Sequence, residues 1–309
     1  MTLATLSVNL AFVILSIALL WKGAGWLVNS ASRIAHRFNI SDLVIGLTVV
    51  AIGTSAPEFA VTVSAALANK ANISVGNVVG SNIFNLGFIL GGAALIRAIS
   101  TSSKLVWRDG IFLITVTVVL YFFLNDLTLS KFEGLTLMST LILYILFLFW
   151  KGEKPEEEIP GGKANWLDFV LLIVGISSVV GGGHLLVDSA SDVARYFGIS
   201  EWVIGVTIVA AGTSAPELAT TLTAAFNEKH GIAIGNLIGS DLFNLLGVLG
   251  LAALIRPLTV DAAAHGSIAL LIAMVCLVVF FMRTGWGISR LEGGILVGLN
   301  LLRWVFDFT

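Results

Sequence analysis

The chain has 309 residues, of which 57% are hydrophobic and only 12% charged, with a mean hydropathy of +0.98 and a net charge of −2. This is about half the charge of an ordinary soluble domain, and the apolar runs repeatedly reach the roughly 20 residues that a helix needs to cross a bilayer. A soluble globular protein is excluded, and the absence of a basic block removes nucleic acid and anionic membrane surfaces as partners.

The partner that composition does imply is the lipid bilayer; no obligatory protein partner and no covalently held cofactor is evident. The first 21 residues contain neither Lys nor Arg, which argues against a cleaved signal peptide and predicts that the first apolar segment is retained. A lone Cys276 excludes a disulfide framework and a Cys-rich metal site, and is expected to be a small packing residue.

In chain order, ten candidate spans run over 5–33, 42–68, 72–96, 107–124, 132–150, 166–195, 201–226, 231–255, 262–282 and 289–306. The fold class expected is an all-α integral membrane protein. Its one strongly polar interruption, 151–165, carries Pro155, Glu156, Glu157, Glu158 and Pro160 and reads as a solvated linker. Lys and Arg number eleven on the side facing this linker and five on the other. The linker is therefore expected in the cytoplasm and both termini outside it, in a multi-pass cell-membrane protein.

The chain repeats itself. At an offset of 159 residues, Ile40 to Glu58 aligns with Ile199 to Glu217, and 14 of these 19 positions are identical. The same offset matches Gly76-Asn77 to Gly235-Asn236, Ser81 to Ser240, and Phe84-Asn85-Leu86 to Phe243-Asn244-Leu245. With five spans in each unit, 1–150 and 166–309, an odd number, the second unit must enter the membrane inverted relative to the first. The repeated positions are polar residues inside apolar spans, a choice that duplicated packing alone would not make.

The repeat carries Gly53-Thr54-Ser55-Ala56-Pro57-Glu58 and its copy Gly212-Thr213-Ser214-Ala215-Pro216-Glu217, each about a dozen residues into a span. A proline inside a helix cannot donate to the carbonyl four residues back, so Pro57 and Pro216 should break their helices. Such breaks are tolerated in hydrocarbon only where protein, water or an ion satisfies the backbone. Thr54, Ser55, Glu58, Thr213, Ser214 and Glu217 supply hydroxyl and carboxylate oxygens, and Ser81 with Asn85, and Ser240 with Asn244, stand at i, i+4 on one helical face. This hard-oxygen set suits Ca2+ or Na+, with Mg2+ less favoured because it dehydrates reluctantly. His36, His184, His230 and His265 lie outside it.

Two facing glutamates carry a charge that one Ca2+, several Na+ or two protons can cancel, which makes occupancy mutually exclusive and supplies a basis for exchange. Asp241 is a third intramembrane acid where the other repeat has the neutral Asn82. It is included as a candidate ion ligand, with proton binding or pairing elsewhere left open. Gly76, Gly80, Gly87, Gly91 and Gly92 are expected to let helices approach closely. Three other functions compete with Na+/Ca2+ exchange. A proton/Ca2+ exchanger would use the same glutamates. An intramembrane hydrolase with Ser55 or Ser214 as nucleophile lacks a His or Lys base in either motif. A passive channel would need a continuous pore.

These motifs resemble the alpha repeats of the cation/Ca2+ exchanger superfamily, most closely its prokaryotic Na+/Ca2+ exchangers, over nearly the whole chain, with the two motif regions at 46–92 and 205–251. The resemblance implies a secondary antiporter that transports Ca2+ and Na+ and is not an enzyme. It implies Glu58 and Glu217 as central ligands, Asn85 and Asn244 as their neutral partners, and Thr54, Ser55, Ser81, Thr213, Ser214 and Ser240 as further ligands. It also implies that the Ala51 and Ala210 carbonyls bind Na+, that the cycle is electrogenic, and that the long first and sixth spans slide across the bundle. Many prokaryotic and K+-dependent members carry Asp at the position of Asn244, a departure that weakens a K+-dependent reading.

Overall fold

The computed structural model describes residues 3–151, 165–199, 204 and 208–308. The linker expected at 151–165 falls outside the described residues except at its two ends, as do 200–203 and 205–207, where a span and the second motif region were expected to begin. The helices are α1 (Leu3–Arg37), α2 (Asp42–Thr54), α3 (Ala56–Leu67), α4 (Ala71–Ile96), α5 (Leu105–Asp126) and α6 (Lys131–Lys151). They continue as α7 (Trp166–Tyr196), α8 (Ala210–Thr213), α9 (Ala215–Phe226), α10 (His230–Ile255), α11 (Ala263–Arg283) and α12 (Arg290–Phe308).

Among the described residues seven helices are long and apolar enough to cross a bilayer, and the pair α2 and α3, bent by 52°, makes an eighth if counted as one span. Their outer faces are apolar as lipid requires: Leu143, Ile173 and Phe280 are each more than 60% exposed. Cys276 belongs to that exposed surface of α11 rather than to the interior, a correction to its expected packing role. A thiol is apolar enough to face lipid as readily as a core.

The break expected at proline is a single residue. Ser55, with φ −79° and ψ 11°, separates α2 from α3, and Ser214, with φ −90° and ψ 10°, separates α8 from α9. Each proline then lies in the first turn of the helix that follows, where its missing N–H would have had no partner. Among the described residues, helical segments widen into π turns at Gly46–Val50, Asn85–Leu90, Leu105–Gly110 and Phe243–Val248, and 208–209 are also in π conformation. Nothing in the hydropathy pattern leads to an expectation of these turns.

Two short antiparallel ribbons, also unexpected, tie the halves together. Here β1 (Ile99–Ser100) pairs with β4 (Gly287–Ile288), and β2 (Thr128–Leu129) pairs with β3 (Leu258–Thr259).

The longest helices, α1 and α7, form one pair. At 1.5 Å per residue, the 35 residues of α1 rise about 52 Å and the 31 of α7 about 46 Å, well beyond the roughly 30 Å hydrocarbon core. Small residues bring their backbones together: a Cβ added at Gly175 would stand 2.6 Å from the Leu27 amide nitrogen, and one at Gly23 2.6 Å from Ser178 Cβ. Polar groups close both ends of the pair. Arg33 meets Asp168 at 2.6 Å, and Asp168 also completes the capping box of Asn165 that starts α7. At the far end Asn9 donates to Asp192 at 3.4 Å.

The remaining helices bury a continuous aliphatic core that includes Leu86, Ile89, Leu113, Leu120, Leu245 and Leu249. Within it α10 lies against α2, where a Cβ at Gly235 or Gly239 would meet the Leu43 or Leu47 carbonyl at 2.8 and 2.5 Å. Of the glycines expected to permit close approach, Gly87 and Gly91 do so, whereas no described atom lies within 4 Å of a Cβ at Gly76, Gly80 or Gly92.

Gly175→Val should force α1 and α7 apart and cost about 1–3 kcal/mol, read as a lower midpoint in detergent thermal unfolding. Gly25→Ala, where an added Cβ meets nothing within 4 Å, should leave that midpoint in place.

Candidate cation site

Both glutamates stand one residue after the proline in the first turn of α3 or α9, and both are fully buried. A serine hydroxyl from the opposite half reaches each carboxylate. Ser55 Oγ donates to Glu217 Oε1 at 3.0 Å, and Ser214 Oγ donates to Glu58 Oε1 at 2.9 Å. The exchange is reciprocal because each serine is the break residue of one half and each glutamate follows the break of the other. Ser240 of α10 closes the group, with its hydroxyl 2.7 Å from that of Ser55 and 3.4 Å from Glu217 Oε1.

The asparagines Asn85 and Asn244 lie within π turns of α4 and α10, fully buried. Asn85 Nδ2 donates to Asp241 Oδ1 at 3.2 Å and, less closely, to Ser240 Oγ at 3.4 Å. Asn244 Nδ2 donates to Asn82 Oδ1 at 3.2 Å, and Asn82 Nδ2 in turn donates to the Asp241 backbone carbonyl at 3.1 Å. The structure thus links Ser55, Glu217, Ser240, Asn85, Asp241, Asn82 and Asn244 in one hydrogen-bonded network, and Ser214 with Glu58 in a separate pair that also crosses between the halves.

The remaining candidates stand at the edge of this network. Thr54 Oγ1 donates to Asn236 Oδ1 at 3.0 Å and to the Ala51 carbonyl at 3.3 Å. Ala51 lies one turn before the break and its carbonyl also accepts from Ser55 N at 3.0 Å. Ala210 opens α8 and Thr213 ends it. Ser81 differs from its repeat mate: its hydroxyl turns back onto the Val78 carbonyl of its own helix at 3.1 Å, while Ser240 joins the acids.

Residues that sequence reasoning did not assign a role form the support. Asn236 accepts from Thr54 and donates to Thr221 Oγ1 at 3.1 Å; its mate Asn77 donates to Thr62 Oγ1 at 3.0 Å and to the Glu58 backbone carbonyl at 3.3 Å. The signal was present in the repeated Gly-Asn pairs. Asn300 of α12 gave no such signal, because position 141 at the equivalent place is Leu. It donates to the Ile83 carbonyl at 2.9 Å beside the π turn, and it crosses so close to Gly87 that an added Cβ there would stand 2.0 Å from its amide nitrogen.

The donor set fits a hard cation. Glu58 Oε2, Glu217 Oε2, Asn85 Oδ1 and Asn244 Oδ1 are all buried acceptors without a hydrogen-bond partner among the described residues, and unmet buried acceptors each cost about 1–3 kcal/mol or more. A cation coordinated by oxygen meets that need. Of the buried acids, Glu58, Glu217 and Asp241 do not gather around one point: among the described residues no group of three or more His, Cys, Asp or Glu could hold a metal together. The arrangement is two carboxylates with neutral oxygens.

Long apolar helices, two breaks and a buried oxygen site that joins the halves define a multi-pass membrane protein. The chain belongs to the sodium/calcium exchanger protein family, which matches residues 8–150 and 167–307. Among its relatives is the putative antiporter CaxA of Alkalimonas amylolytica, 38% identical, with 93% of this chain and 94% of that protein aligned. The sodium/calcium exchanger MaX1 of Methanosarcina acetivorans is 34% identical over 94% of this chain and 96% of its own. A solved structure of the sodium-calcium exchanger NCX_Mj, soaked with 2.5 mM Na+ and 10 mM Sr2+, superposes with a TM-score of 0.87 at 32% identity, covering 97% of this chain and 99% of that one.

Gly87→Ala should lower thermal stability by about 1–3 kcal/mol through its clash with Asn300. Combining it with Asn300→Ala should cost less than the sum of the two single changes, so a double-mutant cycle in detergent unfolding should give a favourable coupling.

Proposed function

We propose that the chain is a secondary active antiporter that exchanges Na+ for Ca2+ by alternating access at this site, in an electrogenic cycle. The observation that carries the reading is the set of four unpartnered buried oxygens on Glu58, Glu217, Asn85 and Asn244. Two carboxylates and two amide oxygens neutralise one Ca2+ and complete part of its shell; the same carboxylates serve several Na+ in its place, so each ion excludes the other. Ser55, Ser214, Ser240, Thr54, Thr213 and Ser81 supply hydroxyl oxygens, and the Ala51 and Ala210 carbonyls serve Na+. MaX1 is named a sodium/calcium exchanger, and NCX_Mj crystals were soaked with Na+ and Ca2+, which supports Na+ over protons as the counter-ion.

The reading includes ten spans in two inverted units, 1–150 and 166–309, with α2 and α3, and α8 and α9, each forming one broken span. The ribbons support inversion. Strands β1 and β2 flank the apolar helix α5 and so fall at its opposite ends, while β2 pairs with β3, which stands at the β1 position 159 residues on. Equivalent strands of the two halves are thereby assigned to opposite membrane faces. The long pair α1 and α7 is the element that slides. The segment 151–165 faces the cytoplasm and both termini the exterior, in the cell membrane.

In sealed proteoliposomes with pH clamped on both sides, an outward Na+ gradient should drive Ca2+ uptake, and a valinomycin-set potential should change its rate. Uptake that needs a proton gradient instead would replace Na+ with H+ as the counter-ion. Glu58→Gln and Glu217→Gln should each abolish uptake while the protein elutes and unfolds like the parent; wild-type exchange in either would remove the glutamates from the site. For orientation, in a Cys276→Ser background, Thr101→Cys should be labelled by an impermeant maleimide only from the cytoplasmic side and Asp126→Cys only from outside.

A further inference from the structure

The identity of an amide oxygen and nitrogen is fixed by partners. Asn85 turns its NH2 toward Asp241 Oδ1 at 3.2 Å and its own Oδ1 away, the orientation that an acceptor oxygen at 241 selects. A backbone carbonyl only accepts. The 3.1 Å contact with the Asp241 carbonyl therefore commits the Asn82 amide nitrogen, which leaves Asn82 Oδ1 to face Asn244, and Asn244 must answer with its own NH2 at 3.2 Å. Both chains of consequence begin at one residue, through its side chain in one case and its backbone in the other. Both end on an asparagine whose carbonyl oxygen is buried and unpartnered.

We infer that Asp241 is a positioning residue, not an ion ligand: with Asn82 it sets the two amides so that Asn85 and Asn244 present oxygen, never NH2, to the bound cation. The inference rests on the proposed cation site. Positions 82 and 241 are repeat mates, as are 85 and 244, and each orienting residue acts on the asparagine of the other half. What the task requires at 241 is an acceptor oxygen facing Asn85, which an asparagine supplies as well as an aspartate; Asn82 does this for Asn244. Asp241 also stands apart from any three-acid cluster with Glu58 and Glu217. Its Oδ2 has no hydrogen-bond partner among the described residues, and a ligand role would have to use that oxygen, so the experiment separates the acceptor from the charge.

Three variants in the full-length protein do so, each assayed for Na+-driven Ca2+ uptake across a range of Ca2+ concentrations. Asp241→Leu removes the acceptor and should raise the KM for Ca2+ tenfold or more, equivalent to about 1.4 kcal/mol, with a smaller change in kcat. Asn82→Leu should do the same through Asn244. Asp241→Asn should restore KM to within about threefold of the parent, the scale of a small change in one hydrogen bond. An Asp241→Asn protein as impaired as Asp241→Leu, or an Asp241→Leu protein with unchanged KM, would overturn the inference. A parent protein that moves no Ca2+ would instead reject the transport reading. In that case the orientation is tested without cargo: the Asn85 side-chain amide 15N resonance in bilayers should move in Asp241→Leu and stay in Asp241→Asn. An unmoved resonance in Asp241→Leu rejects the inference, and because both proteins are observed in the folded state, unfolding cannot imitate either result.

Discussion

A carboxylate buried where water is absent must be met by something, and that requirement organises this molecule. Glu58 and Glu217 are fully buried, and each receives one serine hydroxyl from the opposite half through a single oxygen, leaving the second oxygen free. In hydrocarbon such a group is expensive by several kcal/mol unless an ion shares it. The helix breaks serve the same end. By halting α2 and α8 at Ser55 and Ser214, the prolines bring each hydroxyl and the next first-turn carboxylate to one level, and the N-terminus of α3 or α9 turns its positive end toward the acid. A straight helix would hydrogen-bond its backbone completely and offer a cation only one side chain per turn.

The repeat is near-symmetric in what meets the ion and asymmetric in what supports it. Ser55 with Glu217 and Ser214 with Glu58 are interchangeable by the 159-residue offset. Away from them, Asp241 replaces Asn82, Ser240 joins the acids while Ser81 bonds its own helix, and Asn300 holds the Ile83 carbonyl where the other half has Leu141. The proposed alternating access would require the two halves to exchange roles, which would constrain the ligands; the scaffold behind each has only to hold it.

This distinction also sets what the sequence makes legible. Spans and breaks are readable because hydrophobic length and proline act locally: the expected 72–96, 132–150 and 262–282 fall within two residues of helices Ala71–Ile96, Lys131–Lys151 and Ala263–Arg283. The glutamates are readable because an acid in an apolar run has few purposes. The π turns at Asn85–Leu90 and Phe243–Val248 are not, since no local residue pattern specifies them; beside the first, the Ile83 carbonyl is met by Asn300, 217 positions away. Cys276 was assigned inward on hydropathy, yet in a membrane both core and periphery are apolar, so hydropathy alone cannot tell them apart. Asn236 was visible as a repeated residue, but its bond to Thr54 spans 182 positions and only the folded chain reveals it.

The hydroxyl hydrogen bonds bear on how the proposed site would exchange its cargo. Ser55 and Ser214 donate to the carboxylates that a cation would claim, and the Ser240 hydroxyl lies 2.7 Å from that of Ser55. A hydroxyl donates one proton and keeps two acceptor lone pairs, so a rotation about one bond turns the same oxygen from a donor toward the glutamate into a ligand facing the ion. The asparagines have no such freedom, because Asp241 and Asn82 hold their amides. The site therefore combines two kinds of ligand. Under the proposed function, held amide oxygens would keep the cavity suited to a cation, and rotating hydroxyls would satisfy the carboxylates in its place. That substitution lowers the energy of the empty site, and an antiporter needs its empty site neither too stable to reload nor so costly that the last ion cannot leave.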